Sequence, residues 1–202
     1  MLSPRERMVV SAALLIRERG AHATAISDVL EHSGAPRGSA YHYFPGGRTQ
    51  LLCEAVDLAG EHVGALIAKP DTSSELLDTL IDTYRRQLLE TDFRAGCPIV
   101  AVSVEAGFEK GRDQDRDRMT PVVERAAAVF DRWNDLIAQR FISDGMAPDR
   151  ARDLAMTATA ALEGAIVLAR VRRDLTPLDA VHRQLRNLLS AEPGEREPRD
   201  DR

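Results

Sequence analysis

Between Val122 and Phe141 the apolar side chains fall at Val122, Ala126, Val129, Phe130, Trp133, Ile137 and Phe141, steps of three and four that place them on one face of a long helix closed by Gly145. That period runs through the whole chain, and it constrains the fold more than any other feature. Met8, Ala12, Leu15 and Ile16 follow Pro4, a residue suited to a first helical turn, and stop at Gly20. Thr24 is placed to cap a short helix carrying Ile26, Val29 and Leu30, which Gly34 ends. A second short helix is expected over 37–43, a longer one from Thr49 toward Ala68, and an amphipathic one through Leu77, Leu80, Ile81, Tyr84 and Leu88. A short apolar helix follows Pro98. The charged stretch EKGRDQDRDR, 109–118, reads as a solvated connection or a helix start. Helices over 151–171 and 177–189 complete the series. No strand pattern or internal repeat stands out, so the expected fold is all-α with about nine helices.

Composition excludes several classes. With 44% hydrophobic and 29% charged residues the 202-residue chain has the profile of a soluble globular protein. No apolar run approaches the roughly 18 residues of a membrane span, and MLSPRERMVV lacks the features of a signal peptide. No membrane association and a cytoplasmic location are the expectations. Cys53 and Cys97 form neither a CxxC pair nor a metal-ligand spacing, so reduced thiols and no bound metal are expected. His22, His32, His42 and His62 come without an HExxH motif, a His/Cys cluster or a paired-acid motif. With no phosphate loop or nucleophile elbow either, the sequence does not read as an enzyme, and no cofactor is expected.

The net charge of −5 argues against a general nucleic-acid coat, yet the first 50 residues carry six arginines against four acids. A mildly basic head on an acidic body suits a protein that offers only its first segment to a polyanion. Within that head, GAPRGSAYHYFPGGR places Tyr41, Tyr43 and Phe44 beside His42 in a chain only 4% aromatic. Two short helices joined by a tight turn at Gly34 form a helix-turn-helix, spanning about 25–44. Gly38 and Ser39 lack bulk, so the second helix can approach base edges closely. Arg37 can donate to phosphate or bidentately to guanine, and Tyr41 and His42 carry polar tips able to reach phosphate oxygens. Gly46 and Gly47 precede a helix N-terminus whose amides can bind phosphate, reinforced by Arg48. Phe44 reads as a core plug.

These residues resemble the TetR family of bacterial transcription regulators. The similarity is carried by Gly34, by the run Gly38, Ser39, Tyr41, Phe44, and by Arg48 and Leu51. The FPGG turn, the GCP segment at 96–98 and the later ALEGA segment at 161–165 look like the LmrA/YxaF-type subgroup. The resemblance implies a DNA-binding domain over 1–50 whose recognition helix, 37–43, enters the major groove. It also implies a helical ligand-binding and dimerisation domain over 51–190, leaving a charged tail, 191–202, that reads as disordered. Where the family usually places Ser or Thr before that helix this chain has Pro36, which offers no hydroxyl. Thr24 is therefore the better backbone-contact candidate, and the expected DNA-binding set is Thr24, Arg37, Gly38, Ser39, Tyr41, His42, Gly47 and Arg48.

The family further implies a small-molecule pocket among the middle helices and a homodimer formed by the last two. Tyr84, Phe93, Phe108, Met119, Phe130, Trp133 and Met156 are the candidate pocket residues, with a plain core role as the alternative for each. Glu105 and Glu163 are candidate polar handles for a cationic ligand, against solvent or helix-pair roles. Cys97 reads as a buried filler, with redox sensing the rival. The alanine face around Ala155 and Ala158, with Leu162 and Ile166, and the seam of Val181, Leu185 and Leu188 suit either an internal core or a dimer interface; two copies are preferred because a single short recognition helix binds too little DNA. The expected function is a ligand-responsive repressor binding palindromic double-stranded operator DNA as a homodimer. The alternatives are an activator, or a helical small-molecule-binding protein with weakened DNA recognition.

Overall fold

A computed structural model describes residues 2–105 and 113–190; Phe108 and the tail, 191–202, lie outside the described residues. Among those described there are nine helices and no strand: α1 (Pro4–Arg19), α2 (Ile26–Ser33), α3 (Ser39–Tyr43), α4 (Gly47–Ala68), α5 (Ser73–Glu90), α6 (Pro98–Val104), α7 (Asp113–Ser143), α8 (Pro148–Arg172) and α9 (Thr176–Ser190). Local chemistry sets several of these boundaries. The Ser3 hydroxyl accepts from the Glu6 amide at 3.2 Å while the Glu6 carboxylate accepts from the Ser3 amide at 2.7 Å, a reciprocal cap that starts α1. Gly20 and Gly34 end α1 and α2 with φ of +89° and +65°, a region that side chains disfavour. The Thr72 hydroxyl caps α5 by accepting from the Glu75 amide. The described part of the charged stretch, from Asp113, is the start of α7, which runs on through Pro121.

The helix-turn-helix head and the larger body share one continuous core, from Met8 and Phe44 to Trp133 and Leu185. Helix α4 joins them. Near its N-terminus it buries Leu51 and Leu52, and further on Val56 and Ile67, packing first on α1 and then along α7. The expected boundary between residues 50 and 51 therefore falls inside an unbroken helix. The body closes around this axis, with α7 on α8, α8 on α9 and α9 back on α5.

Gly60 shows how closely α4 and α7 approach. A Cβ there would stand 2.6 Å from one Val129 methyl and 3.0 Å from the other, while the Trp133 indole donates to the Gly60 carbonyl at 2.9 Å. Alanine would gain about 1 kcal/mol of helix propensity. Because both valine methyls are in the way, rotating that branched side chain cannot clear the clash, and overpacking costs about 1–3 kcal/mol. Gly60→Ala is expected to lower the chemical-denaturation midpoint, with a net loss of about 1 kcal/mol.

Candidate nucleic-acid interface

Two inward side chains set the orientation of α3. Ala40 and Phe44, one turn apart, are each 1% exposed, and the Arg5 guanidinium lies over the Phe44 ring while its Nη2 bridges both Glu54 oxygens at 2.7 Å. Seating that face turns the opposite one to solvent. Tyr41 is 72% exposed, Arg37 and His42 are exposed, and Gly38 has open space where a Cβ would be. Tyr43 is half-buried and meets the His42 ring edge-on, with centroids 5.2 Å apart. The helix is shorter than expected, since Arg37 and Gly38 lie in the turn before it. Pro36 contributes through its carbonyl, which accepts from both the Ser39 amide (2.9 Å) and the Ser39 hydroxyl (2.7 Å).

Three members of the expected DNA-binding set are placed otherwise. Thr24 is 1% exposed and donates its hydroxyl to the Gly20 carbonyl at 2.7 Å, so it neither caps α2 nor faces solvent. Ala25 holds the cap position, and the Asp28 carboxylate accepts its amide at 3.1 Å. Gly47 donates its amide to the Phe44 carbonyl at 2.8 Å, and Gly46 donates to the Gln50 side chain at 2.9 Å. Arg48 turns inward. Its guanidinium donates to the Thr24 carbonyl at 2.9 Å, the His22 carbonyl at 3.3 Å and the Ala21 carbonyl, and lies 3.8 Å from the Met119 sulfur on α7.

The same α1–α2 turn is held from the body. Glu105, just past α6, accepts the amides of Ala21 and His22 at 2.9 and 3.0 Å and lies 3.5 Å from the His22 ring. Arg170 on α8 donates to the carbonyls of Glu18 and Arg94, and Gly96 donates to the Arg17 carbonyl at 2.8 Å. Glu105 is therefore a link between head and body rather than a ligand handle. Spacing gave no signal for it, since its partners lie 83 and 84 positions away.

Within the body, a cavity of about 40 Å³ lies among α4, α5, α7, α8 and α9, and a groove of about 360 Å³ opens between α1, α4 and α5. Of the expected pocket residues, Tyr84 lines both and Trp133 lines the cavity. The other described members are elsewhere. Phe130 packs edge-on against Trp133, Met119 lies beneath Arg48, Phe93 sits at φ +58° in the turn after α5, and Met156 is 56% exposed. Glu163 reaches the cavity, where burial pushes its carboxyl up to about 7. Burial also raises the Cys97 thiol well above its ordinary range, with Glu163 adding to the shift, so Cys97 is a buried thiol without thiolate character.

Most of the residues expected at an interface between copies face inward on α8 and α9. Ala155, Leu162, Ile166 and Leu185 are buried within the protomer, while Ala158 and Val181 are partly buried against the same core. Leu188 alone of that set is exposed. The outward face of α8 carries Met156, Ala160, Gly164, Val167, Leu168 and Val171, with Val171 80% exposed. With apolar residues on both faces, α8 reaches a mean hydropathy of 1.5 over 18 residues and is long and apolar enough to cross a membrane by length and composition.

Residues 9–55 match the family described as bacterial regulatory proteins, tetR family, and residues 73–184 match the LmrA/YxaF-like C-terminal domain of transcriptional regulators, more than half of the chain. The chain belongs to the TetR family. Its relatives include the HTH-type transcriptional regulator Rv0196 of Mycobacterium tuberculosis (strain ATCC 25618 / H37Rv), 78% identical over 97% of this chain and 99% of the relative. YxaF of Bacillus subtilis (strain 168) is 30% identical over 90% of this chain and 92% of its own. The fold is that of a TetR regulator from Legionella pneumophila, with a TM-score of 0.76 at 16% identity, covering 93% of this chain and 97% of that one. TetR-family proteins are DNA-binding transcription regulators rather than enzymes.

In this TetR-family chain Arg48 ties the start of α4 to the α1–α2 turn. Arg48→Ala would remove the side-chain donor from the carbonyls of Thr24 and His22 and leave the Ala21 carbonyl with only the Thr24 amide, at a cost of about 2 kcal/mol. Thermal unfolding should register that loss. The salt slope of DNA binding should stay unchanged, whereas losing a phosphate contact lowers it by about one.

Proposed function

We propose that the chain is a ligand-responsive repressor that binds palindromic operator DNA as a homodimer in the cytoplasm and is released by a small molecule. One observation carries the reading: burial of Ala40 and Phe44 presents Arg37, Gly38, Tyr41 and His42 together on the open side of α3. That face suits a major groove, with Arg37 on phosphate or guanine and the two polar-tipped rings on the backbone. Ser39 remains beside it, half-buried, with its hydroxyl donated to Pro36.

The outward apolar face of α8, continued by Leu188 on α9, is the surface a second copy would cover, and small residues at Ala160 and Gly164 allow close approach. Two recognition helices about 34 Å apart then reach successive major grooves. Coupling follows the contacts between head and body. Arg48, in the first turn of α4, grips the α1–α2 turn, and Glu105 grips the same turn from α6. A ligand that shifts α4 against α7 changes the spacing of the two heads, and it releases DNA through its preference for the released arrangement. Selection of bound duplexes from a random pool tests the reading. The expected products are palindromes bound with a steep fall in affinity as salt rises; no enrichment would contradict it.

A further inference from the structure

The small body cavity is lined by apolar side chains, among them Ile67, Leu80, Trp133, Ile137 and Leu162, and its acidic group is Glu163. One carboxyl oxygen, Oε2, is buried and has no hydrogen-bond partner among the described residues. The groups that act on it are a thiol and a phenol: the Cys97 thiol interacts with the carboxyl group, and the Tyr84 phenol in turn with Cys97. No Lys, Arg or His lines the cavity. Leaving a buried carboxyl oxygen without a hydrogen-bond partner is unfavourable, and an apolar surround strengthens its attraction for a cation brought in from outside.

Resting on the ligand-responsive reading above, we infer that the effector is an amine: a protonated ammonium head seated on Glu163 inside the cavity, carried on an apolar chain. About 40 Å³ accommodates a small polar head and little more. Val63 and Tyr84 line both this cavity and the groove of about 360 Å³, whose walls include Val10, Ala13 and Leu14 of α1. The groove therefore lies next to the cavity, across Val63 and Tyr84, and a longer chain would reach it by displacing the Tyr84 side chain. A carboxylate ligand would be repelled, and an alcohol would supply a single neutral hydrogen bond.

The chain has one tryptophan, Trp133, in the wall of the cavity, so its emission reports occupancy directly. The full chain is titrated at pH 8 and constant ionic strength with n-hexylamine, n-hexanol and hexanoate. Hexylamine is expected to saturate at least about tenfold more tightly than hexanol, and hexanoate to give no saturable change. The seated ammonium needs an ionised Glu163, so protons compete with it below the carboxyl's value of about 7. Hexylamine itself stays charged throughout, and its affinity should weaken about tenfold between pH 8 and pH 6 while that of hexanol holds. Glu163→Gln should abolish the amine's advantage and leave hexanol binding in place. Equal affinities for amine and alcohol, no saturable amine response, or amine binding indifferent to pH would each overturn the inference; the pH comparison needs no variant to fold. If the amine binds as expected but leaves the selected duplex bound, ligand release is contradicted and the amine site stands.

Discussion

Replacing Arg37 and Tyr41 together with alanine should weaken binding to selected operator DNA about a hundredfold, while the far-ultraviolet dichroism stays that of the native chain. Tyr41 projects from the face of α3 opposite Ala40 and Phe44 and is 72% exposed, and Arg37 is exposed in the turn before that helix, so neither contributes to the core. Contacts of this kind contribute about 1–3 kcal/mol each, and two of them compound to a hundredfold or more. Anisotropy titrations at fixed salt measure the loss. Arg37→Ala alone should also flatten the salt dependence by about one charge if the guanidinium lies on phosphate, or relax the preference at one base pair if it reads guanine. Native affinity in the double variant would remove α3 from the interface.

Introducing glutamate at Leu168 and Val171 is expected to convert a dimer into a folded monomer at micromolar concentration. These positions are 55% and 80% exposed in the protomer, so a charge there costs the fold little. Across a two-fold axis each substitution is repeated, which places four carboxylates in one apolar contact. Losing the partner also loses the second half-site, whose effective concentration in the dimer is on the order of millimolar, and operator affinity should fall about a hundredfold or more. Sedimentation and anisotropy read the two effects separately. Glutamate at Leu185, 4% exposed, is the contrast: it should unfold the chain rather than dissociate it. A double variant that still sediments as a dimer would place the interface elsewhere.

That contrast shows how far the sequence could be read. Most of the longer helices followed from their apolar period and stops, and Phe44 and Tyr41 could be assigned to core and surface because one is wholly apolar and the other polar-tipped. On α8 the same reasoning has no purchase, because Ala155, Leu162 and Ile166 on one face and Met156, Leu168 and Val171 on the other are equally apolar. Periodicity names both stripes without saying which is inside. Thr24 and Arg48 were misleading for a different reason. Each is polar, in a basic head and beside a helix start, yet the carbonyls of the α1–α2 turn need donors, and those two side chains supply them. Glu105 completes that turn from a distant part of the chain, a relation that no local pattern encodes. Of the expected pocket residues among those described, only Tyr84 and Trp133 border the cavity, and Phe141, which the apolar period places on the same face of α7 as Trp133, borders it as well.

The central claim is that two copies of α3, held by the α8 faces, read two half-sites at once. Its most direct test is the affinity of the native chain for its selected palindrome when base pairs are inserted between the half-sites. An insertion of five base pairs, about half a helical turn, rotates one half-site to the far side of the duplex and should cost about a hundredfold, leaving the affinity of a single half-site. Equal affinity for the intact, the lengthened and the single half-site duplex would contradict it.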